Sequence, residues 1–214
     1  MRVGILGTGD VGKALGKGFV TLGHDVKMGS RDAKNEKALA WAKEVGAKAS
    51  AGTFADAASF GEIVIVATLG VANESALKMA GPEKLRGKVV VDTTNPLDFS
   101  AGMPPKLAVS GNDSAGERVQ RLLPDAHVVK AFNTVGNPFM FRPSFPGGPP
   151  DMFFCGNNDD AKKQVAALLK DFGWGVVDVG GIESSRYLEA MCMVWVLSAI
   201  RTNNWNQAFK LLRK

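Results

Sequence analysis

The segment GTGDVG near the start of the chain has residue types and a spacing that could bind a phosphate group. It is a G-x-G-x-x-G pattern that follows a short apolar run and opens a stretch of helix-spaced apolar residues, the context that makes the pattern informative. Gly7 permits a tight turn, Gly9 lets the backbone approach a pyrophosphate, and Gly12 lets the helix pack closely on the strand. Backbone N–H groups at the helix N-terminus would then hold the anion. Unless the segment is only a glycine-rich turn between two elements, the expected site residues are Gly7, Thr8, Gly9, Asp10, Val11 and Gly12.

The segment VKMGSRD ends at Asp32, where a site for NAD usually has an acid at the end of its second strand. Such an acid accepts hydrogen bonds from the ribose 2′-OH and would repel a 2′-phosphate. Here Gly29 would let that phosphate lie close to the chain, Ser30 could donate a hydrogen bond, and Arg31 could donate a charge-assisted pair. Lys34 lies one turn further on, so the segment predicts NADP(H) as the cofactor. The alternative is that Arg31 belongs to a solvated surface and that Asp32 binds the ribose of NAD.

Neutral hydrogen-bonding residues follow three of the later apolar runs. Such residues can orient a nicotinamide and a planar acceptor face to face, and positioning is the part of hydride transfer that the protein controls. Because ligands of open α/β sheets collect at the carboxyl ends of the strands, the three segments are expected to line one crevice. They are Thr68, Leu69 and Gly70; Thr94, Asn95 and Pro96; and Asn133, Thr134 and Val135. The alternative is that these residues cap helices and form turns.

No side chain stands out as a catalytic acid or base, so no catalytic residue is assigned. His24 and His127 are the only histidines, and both are interpreted as structural because they adjoin strands. Tyr187, the single tyrosine, is not part of a Tyr-x-x-x-Lys pair, because Met191 occupies the fourth position after it. Lys130 lies within the apolar segment VVKAF rather than at its carboxyl end, and we interpret it as structural rather than as a general acid.

The composition is that of an ordinary globular protein. The 26 basic and 21 acidic residues give a formal net charge of +5 without long runs of like charge, which favours small anionic ligands over nucleic acid. Cys155 and Cys192 are far apart and in no metal-like spacing, so we expect neither a metal site nor a disulfide, and a cytoplasmic location. No secretory signal is apparent, and the most apolar segment, residues 190–200, is too short to cross a bilayer. We therefore expect no membrane partner and interpret that segment as a buried helix.

Apolar runs alternate with helix-spaced segments along the chain. The alternation predicts an α/β fold: a Rossmann-type doubly wound, mostly parallel sheet with helices on both faces and a small helical C-terminal portion. Residues 1–180 are expected to form the nucleotide-binding domain and residues 181–214 a C-terminal helical segment, with an irregular Pro/Gly-rich loop at residues 143–150. Strands are expected at residues 3–6, 25–28, 47–50, 63–67, 88–92, 128–132, 152–155 and 176–179; helices are expected at residues 11–22, 35–45, 72–80, 115–123, 159–172, from 183 onward, and at 205–214.

Several segments together resemble the coenzyme F420-dependent NADP oxidoreductases and their relatives, which include the cytosolic domain of the six-transmembrane metalloreductases. The segments are MRVGILGTGDVGKAL, VKMGSRD, VVVDTTNPL, VVKAFNTV and DVGGIESSRYLEAM, and they span nearly the whole chain in order. The resemblance implies a Rossmann domain with NADPH in its cleft and a deazaflavin (F420) or flavin (FMN or FAD) ring near Asn133 to Val135. It also implies reversible hydride transfer between the nicotinamide and that ring, and a homodimer formed through the C-terminal part. The chain departs from the family pattern at Gly136-Asn137-Pro138 and in the proline-rich loop that follows.

The leading hypothesis is therefore an NADPH-dependent oxidoreductase whose partner is a small-molecule redox acceptor. One alternative is a reductase of a small imine or carbonyl compound, which would need a proton donor that the sequence does not show. The other is a non-catalytic NADP(H)-binding sensor module, which would need an exposed docking surface or tail.

Overall fold

The computed structural model describes residues 1–214, in which ten strands and seven helices alternate along most of the chain. The strands are β1 (Arg2–Leu6), β2 (Asp25–Ser30), β3 (Ala49–Thr53), β4 (Ile63–Val66), β5 (Val89–Asp92), β6 (Leu97–Asp98), β7 (Lys106–Leu107), β8 (His127–Lys130), β9 (Asp151–Gly156) and β10 (Gly175–Asp178). The helices are α1 (Asp10–Thr21), α2 (Glu36–Val45), α3 (Phe54–Phe60), α4 (Asn73–Ala80), α5 (Ala115–Leu122), α6 (Asp159–Asp171) and α7 (Ser185–Thr202).

Eight of the strands form one sheet in the order β10-β9-β8-β5-β4-β1-β2-β3. All neighbouring pairs are parallel except β8 and β9, which are antiparallel. The chain first adds strands on one side of β1 and then returns to add β4 and β5 on the other side. This reversal of direction leaves a crevice at the carboxyl ends of β1 and β4, where ligands bind in doubly wound folds. The predicted fold class, a mostly parallel Rossmann-type sheet, is thus confirmed.

Both faces of the sheet are covered, because successive residues of a strand point to opposite faces. In β4, Ile63 and Ile65 pack into a core cluster of 26 buried residues, whereas Val64 and Val66 pack into a cluster of 18 on the other side. This explains why β4 is an uninterrupted apolar run instead of an alternating one. The two clusters hold the strand ends, and therefore the crevice, in place.

Two elements near the crevice were not expected from the sequence. The helix α3 follows β3 directly and begins with a capping box, in which Thr53 and Asp56 exchange side-chain and backbone hydrogen bonds. The T-x-x-D spacing is the signal that predicts such a start. The second element is the short antiparallel pair β6–β7, in which Leu97 pairs with Leu107. Its strands are only two residues long, which is too short for a periodic pattern to be read.

The C-terminal part differs from the expectation of continuous helix. The helix α7 ends where Asn203 adopts a left-handed conformation, and residues 203–214 contain no helix. The tail instead runs back over the sheet: the Trp195 indole donates a hydrogen bond to the Gln207 carbonyl, and the Asp151 amide donates one to the Phe209 carbonyl. The prediction of a helix at residues 205–214 is therefore wrong.

The apolar segment at residues 190–200 is helical but only half-buried. Cys192, Val196 and Ala199 pack inward, while the side chains of Val194 and Leu197 are 58% and 48% exposed. The interpretation of the segment as a buried helix is therefore right about the helix and wrong about the burial of these exposed side chains. No helix of the protein has the length and apolar character needed to traverse a bilayer.

We expect Phe172→Ala to lower the free energy of unfolding by about 3–5 kcal/mol, because it removes a fully buried ring from a tightly packed site. The Phe172 ring makes edge contacts with Phe19 and Phe141 at centroid distances of 4.7 and 5.2 Å. Chemical denaturation followed by circular dichroism measures the change. The exposed Leu39 of α2 provides the control: Leu39→Ala should change stability by less than about 0.5–1 kcal/mol. Similar losses for the two variants would contradict this account of the core.

Candidate functional site

A cleft of about 1040 Å³ lies at the crevice predicted by the strand order. Its volume is at the upper end of the range usual for ligand pockets. Of the residues expected from the sequence, those that line it are Gly7, Thr8, Gly9, Asp10, Val11, Ser30, Arg31, Thr68, Leu69, Gly70, Thr94 and Asn95. Those outside the lining are Gly12, Lys34, Pro96, Asn133, Thr134 and Val135. Lining residues that the sequence did not single out include Asn35, Phe54, Val71, Met79, Asp98 and Phe99.

The three glycines of the GTGDVG segment have different structural roles. Gly7 has a φ of +130°, and a Cβ there would lie 2.3 Å from the carbonyl oxygen of Ala67. A Cβ at Gly12 would lie 2.5 Å from the carbonyl oxygen of Gly7. A Cβ at Gly9 would meet nothing within 4 Å and would project into open space. The fold therefore requires glycine at positions 7 and 12, whereas glycine at position 9 leaves room beside the helix for a bound group.

The N-terminus of α1 also indicates a site for a phosphate group. The helix begins at Asp10, and its N-cap residue Gly9 has no side chain to accept hydrogen bonds from the first N–H groups. Four other helices have a capping side chain, from Asn35, Thr53, Ser114 and Asn158. An uncapped N-terminus that opens on a cleft presents backbone donors and a partial positive charge, which is the arrangement that holds phosphate groups. The residues present thus fit a pyrophosphate.

The turn that follows β2 presents one free guanidinium to the cleft. Arg31 lines the cleft, is exposed, and makes neither an ion pair nor a side-chain hydrogen bond. Asp32 is engaged locally, since its Oδ1 accepts a hydrogen bond of 2.9 Å from the Lys34 amide. The Ser30 hydroxyl donates to the carbonyl of Asp32 and accepts from its amide, so its proton already closes the turn. Arg31 is therefore the side chain of this turn that is available to an anionic ligand.

Gly29 serves the fold and not the ligand, which corrects the expectation that it makes room for a phosphate. A Cβ at Gly29 would lie 2.8 Å from the Cβ of Ala57 and 2.9 Å from the carbonyl oxygen of Thr53. The glycine thus allows α3 to pack against β2. Because α3 was not predicted from the sequence, the close packing that it requires at Gly29 was not foreseen.

The other end of the cleft is bounded by an apolar wall. Leu69, Val71 and Phe99, which follow β4 and β5 in the chain, line the cleft there, and each is between 52% and 73% exposed. Large apolar side chains that stand exposed around a concave site mark a place where an apolar partner binds. Phe99 follows β6, so the hairpin that the sequence did not reveal supplies part of this wall.

The segment Asn133 to Val135 lies behind the cleft instead of in its lining. The Asn133 amide donates to Asn95 Oδ1 and to the Leu188 carbonyl, both at 2.9 Å. Asn95, which does line the cleft, donates in return to the Asn133 carbonyl at 2.8 Å. The segment thus connects Asn95 to α7 and supports the residues that line the cleft in front of it.

A buried ion network lies beneath the cleft. The Lys130 ammonium contacts Asp92 Oδ2 at 2.9 Å, Glu189 Oε1 at 2.8 Å and the Thr94 carbonyl at 2.6 Å. Glu189 also accepts hydrogen bonds of 3.0 Å from the backbone amides that begin α5. Burial alone would lower the pKa of Lys130, but the carboxylates of Asp92 and Glu189 outweigh it and raise that pKa.. The network agrees with the structural interpretation of Lys130, and the opposite charges in VVVDTT and VVKAF are the sequence signal for it.

The charged side chains in the lining are few. They are Asp10, Arg31, Asp32 and Asp98, and neither histidine, nor Tyr187, nor a lysine is among them. The Ser100 amide donates a hydrogen bond to Asp98 and lowers the pKa of that carboxyl below its usual value. Asp98 is therefore ionised at neutral pH, which leaves the apolar end of the cleft without a side chain that donates a proton there.

Comparison with known proteins matches this site to a family. A family profile described as NADP oxidoreductase, coenzyme F420-dependent, matches residues 2–96. The F420-dependent NADP reductase of Methanocaldococcus jannaschii is 33% identical over 201 residues, covering 89% of this chain and 89% of that protein. The chain belongs to the F420-dependent NADP oxidoreductase family. As a member of that family it is an NADP-dependent oxidoreductase.

Two further relatives define how far the similarity extends. The crystal structure of an Arthrobacter sp. FB24 protein assigned to the F420-dependent NADP reductases superposes with a TM-score of 0.94 at 40% identity, covering 100% of both chains. Rat metalloreductase STEAP3 is 29% identical over 190 residues, but the chain spans only 36% of the length of that protein. The oxidoreductase similarity thus covers the whole chain, and the metalloreductase shares only part of its length with it.

We expect Gly9→Ala to weaken the binding of NADP with little effect on the stability of the fold. The added methyl group meets no protein atom within 4 Å, so the free energy of unfolding should change by less than about 1 kcal/mol. The same methyl group would occupy the space beside the α1 N-terminus, so the Kd for NADP should rise at least about tenfold. Denaturation and calorimetry measure the two effects. The control is Gly7→Ala, which should destabilise the fold because of its clash with Ala67; strong destabilisation by Gly9→Ala would refute the division of roles.

Proposed function

We propose that the protein transfers a hydride between NADP(H) and a deazaflavin (F420) or a flavin bound in the same cleft. The observation that carries the proposal is that one continuous cleft joins an anion-binding end to an apolar end. The first end has the open glycine cradle and Arg31, and the second has the wall around Leu69 and Phe99. Family membership supports the same reaction, since relatives of full length are F420-dependent NADP reductases.

The chain's residues bind and orient the two reactants in this proposal. The backbone N–H groups that follow Gly9 hold the pyrophosphate, and Arg31 pairs with the 2′-phosphate of the adenosine ribose. Thr68 and Thr94, which line the cleft beside β4 and β5, would hold the nicotinamide half. The bound dinucleotide supplies the hydride. The apolar wall excludes water and packs against a planar acceptor, so that the two rings meet at short distance.

The lack of a proton donor at the acceptor end favours an acceptor that needs none. Reduction of an imine to an amine requires a proton at nitrogen, and Asp98 is ionised at neutral pH because of its bond from Ser100. Hydride transfer to a deazaflavin or flavin ring requires no protein base or acid to act on a hydroxyl or an amine. The imine and carbonyl alternative is therefore less well supported than the proposed reaction.

The assembly and location are also proposals. A homodimer formed through residues 181–214 is supported by one face of α7 that leaves Tyr187, Val194 and Leu197 exposed. A cytoplasmic location is supported by Cys155 and Cys192, which are both free and buried. Burial raises the pKa of Cys192 to about 12, so that thiol is chemically inert. The division into units at residues 1–180 and 181–214 stays a prediction.

Arg31→Ala should remove the preference for NADPH over NADH. Loss of a charge-assisted pair is expected to raise the Kd for NADPH by about 10- to 100-fold, while the Kd for NADH changes by less than about twofold. Calorimetry with both nucleotides measures this. Lys37→Ala is the matched control, because it removes one exposed positive charge from the same region but from outside the cleft lining. Equal affinities of the parent protein for the two nucleotides would refute the assignment of Arg31.

Turnover should depend on the class of acceptor. The oxidation of NADPH, followed anaerobically by its absorbance, is expected with F420 or with FMN or FAD, and not with a small cyclic imine such as 2-methyl-1-pyrroline. The reason is that the cleft offers an apolar wall and no proton donor at that end. Turnover with the imine alone would establish the alternative reductase. Binding of NADPH without turnover of any acceptor would establish the sensor module.

A further inference from the structure

A continuous chain of hydrogen bonds runs from the buried Lys130 to the cleft. Lys130 Nζ donates to Asp92 Oδ2 at 2.9 Å, and the Thr94 hydroxyl lies 2.7 Å from Asp92 Oδ1. The Asn73 amide nitrogen lies 2.7 Å from the Thr94 hydroxyl, and Asn73 Oδ1 lies 2.6 Å from the hydroxyl of Thr68. Thr68 is the last member of the chain and lines the cleft.

The buried end of the chain fixes the direction of its hydrogen bonds. The ammonium of Lys130 has three protons and no acceptor site, and its three short contacts are Asp92, Glu189 and the Thr94 carbonyl. The carboxylate of Asp92 is paired with this ammonium and only accepts hydrogen bonds. The Thr94 hydroxyl must therefore donate its proton to Asp92.

The hydrogen bond from Thr94 to Asp92 also determines the direction of the hydrogen bonds nearer the cleft. Because the Thr94 proton points to Asp92, the Thr94 oxygen accepts, and the Asn73 atom that faces it must be the amide nitrogen. The Asn73 oxygen then faces Thr68, whose hydroxyl donates to it. Asn73 and Thr94 are at most 5% exposed, so water does not compete for these bonds. With its proton committed inward, the Thr68 hydroxyl presents only lone pairs to the cleft.

We infer that Thr68 is a hydrogen-bond acceptor for a donor on the nicotinamide half of the bound dinucleotide, and that Asn73, Asp92 and Lys130 are positioning residues that set this polarity. The inference rests on the proposed function, because it takes NADP(H) as the ligand. Thr68 follows β4, which lies on the opposite side of β1 from β2 and its Arg31. A dinucleotide whose pyrophosphate lies at β1 thus brings its nicotinamide half, and not its adenosine half, to Thr68.

Two groups of that half can donate: the N–H of the carboxamide and the hydroxyls of the adjoining ribose. Three ligands distinguish them by calorimetry. NADP has both donors, its 3-acetylpyridine analogue keeps the ring carbonyl but lacks the carboxamide N–H, and 2′-phospho-ADP-ribose has the ribose alone. Adenosine 2′,5′-bisphosphate lacks the whole nicotinamide half and reports whether a variant still folds around the adenosine end.

The deciding variant is Thr68→Val, which keeps the shape of the side chain and removes its oxygen. We expect its Kd to rise about tenfold for NADP alone if the carboxamide is the donor, or about tenfold for all three ligands if the ribose is. Thr68→Ser, which keeps the oxygen, should bind all of them within about twofold of the parent, and adenosine 2′,5′-bisphosphate should bind every protein equally.

Other patterns overturn the inference. An unchanged Kd for every ligand in Thr68→Val would show that Thr68 makes no bond to the ligand. Losses for NADP and the acetylpyridine analogue without loss for 2′-phospho-ADP-ribose would show that Thr68 donates to the carbonyl. A loss for adenosine 2′,5′-bisphosphate would show that the effect of Thr68 is not confined to the nicotinamide half. Failure of the parent to bind any of the ligands would instead contradict the proposed function.

The positioning role is tested with Asn73→Leu. Without its amide the Thr68 hydroxyl is free to rotate, so the Kd should rise by about threefold for the same ligands that Thr68→Val affects. Glu74→Gln is the control, because Glu74 is the next residue of α4 but is exposed and contacts only Lys78. Parent-like affinities in Asn73→Leu, with adenosine 2′,5′-bisphosphate binding intact, would overturn the role of Asn73.

Discussion

The buried ammonium of Lys130 is the constraint on which the cleft depends. A charge taken out of water is costly unless partners satisfy it, and here Asp92 from β5, Glu189 from α7 and the Thr94 carbonyl do so together. The two carboxylates exceed the single ammonium in charge, and the amides at the start of α5 offset the excess by donating to Glu189. The cluster therefore fixes β5, β8, α5 and α7 relative to one another, immediately behind the residues that line the site.

Thr94 and Asn95, which lie between this cluster and the cleft, are held in place for the same reason. The apolar wall is formed by shorter elements. Thr94 is held by its backbone and its side chain to Asp92, and Asn95 is held by Asn133. The wall comes instead from Leu69 and Val71 near a short 3-10 turn and from Phe99 beside a hairpin of two-residue strands. A site of this construction keeps the dinucleotide in one place and leaves the surface that meets the second reactant adaptable.

Much of this was readable in the amino-acid sequence, for identifiable reasons. The uninterrupted apolar run of β4 predicted a strand buried on both faces, and the position of GTGDVG after β1 predicted a phosphate site at the helix that follows it. Arg31 was predicted as a site residue because of the chemistry of its side chain and its position after the second strand, and it lines the cleft. The two-residue β6 was too short to show a periodic pattern, and the seven-residue α3 was missed although Thr53 and Asp56 mark its start. Phe99 and the packing role of Gly29 were missed with them. The tail after Asn203 was misjudged because its backbone bonds are made to Asp151, far away in sequence.

The arrangement of strands keeps the two selective features of the site apart. Arg31 belongs to the turn after β2, whereas the apolar wall follows β4 and β5, and β1 with its glycines stands between them. Because the two features follow different strands, we expect the specificity for NADP over NAD and the choice of second reactant to be alterable by separate substitutions.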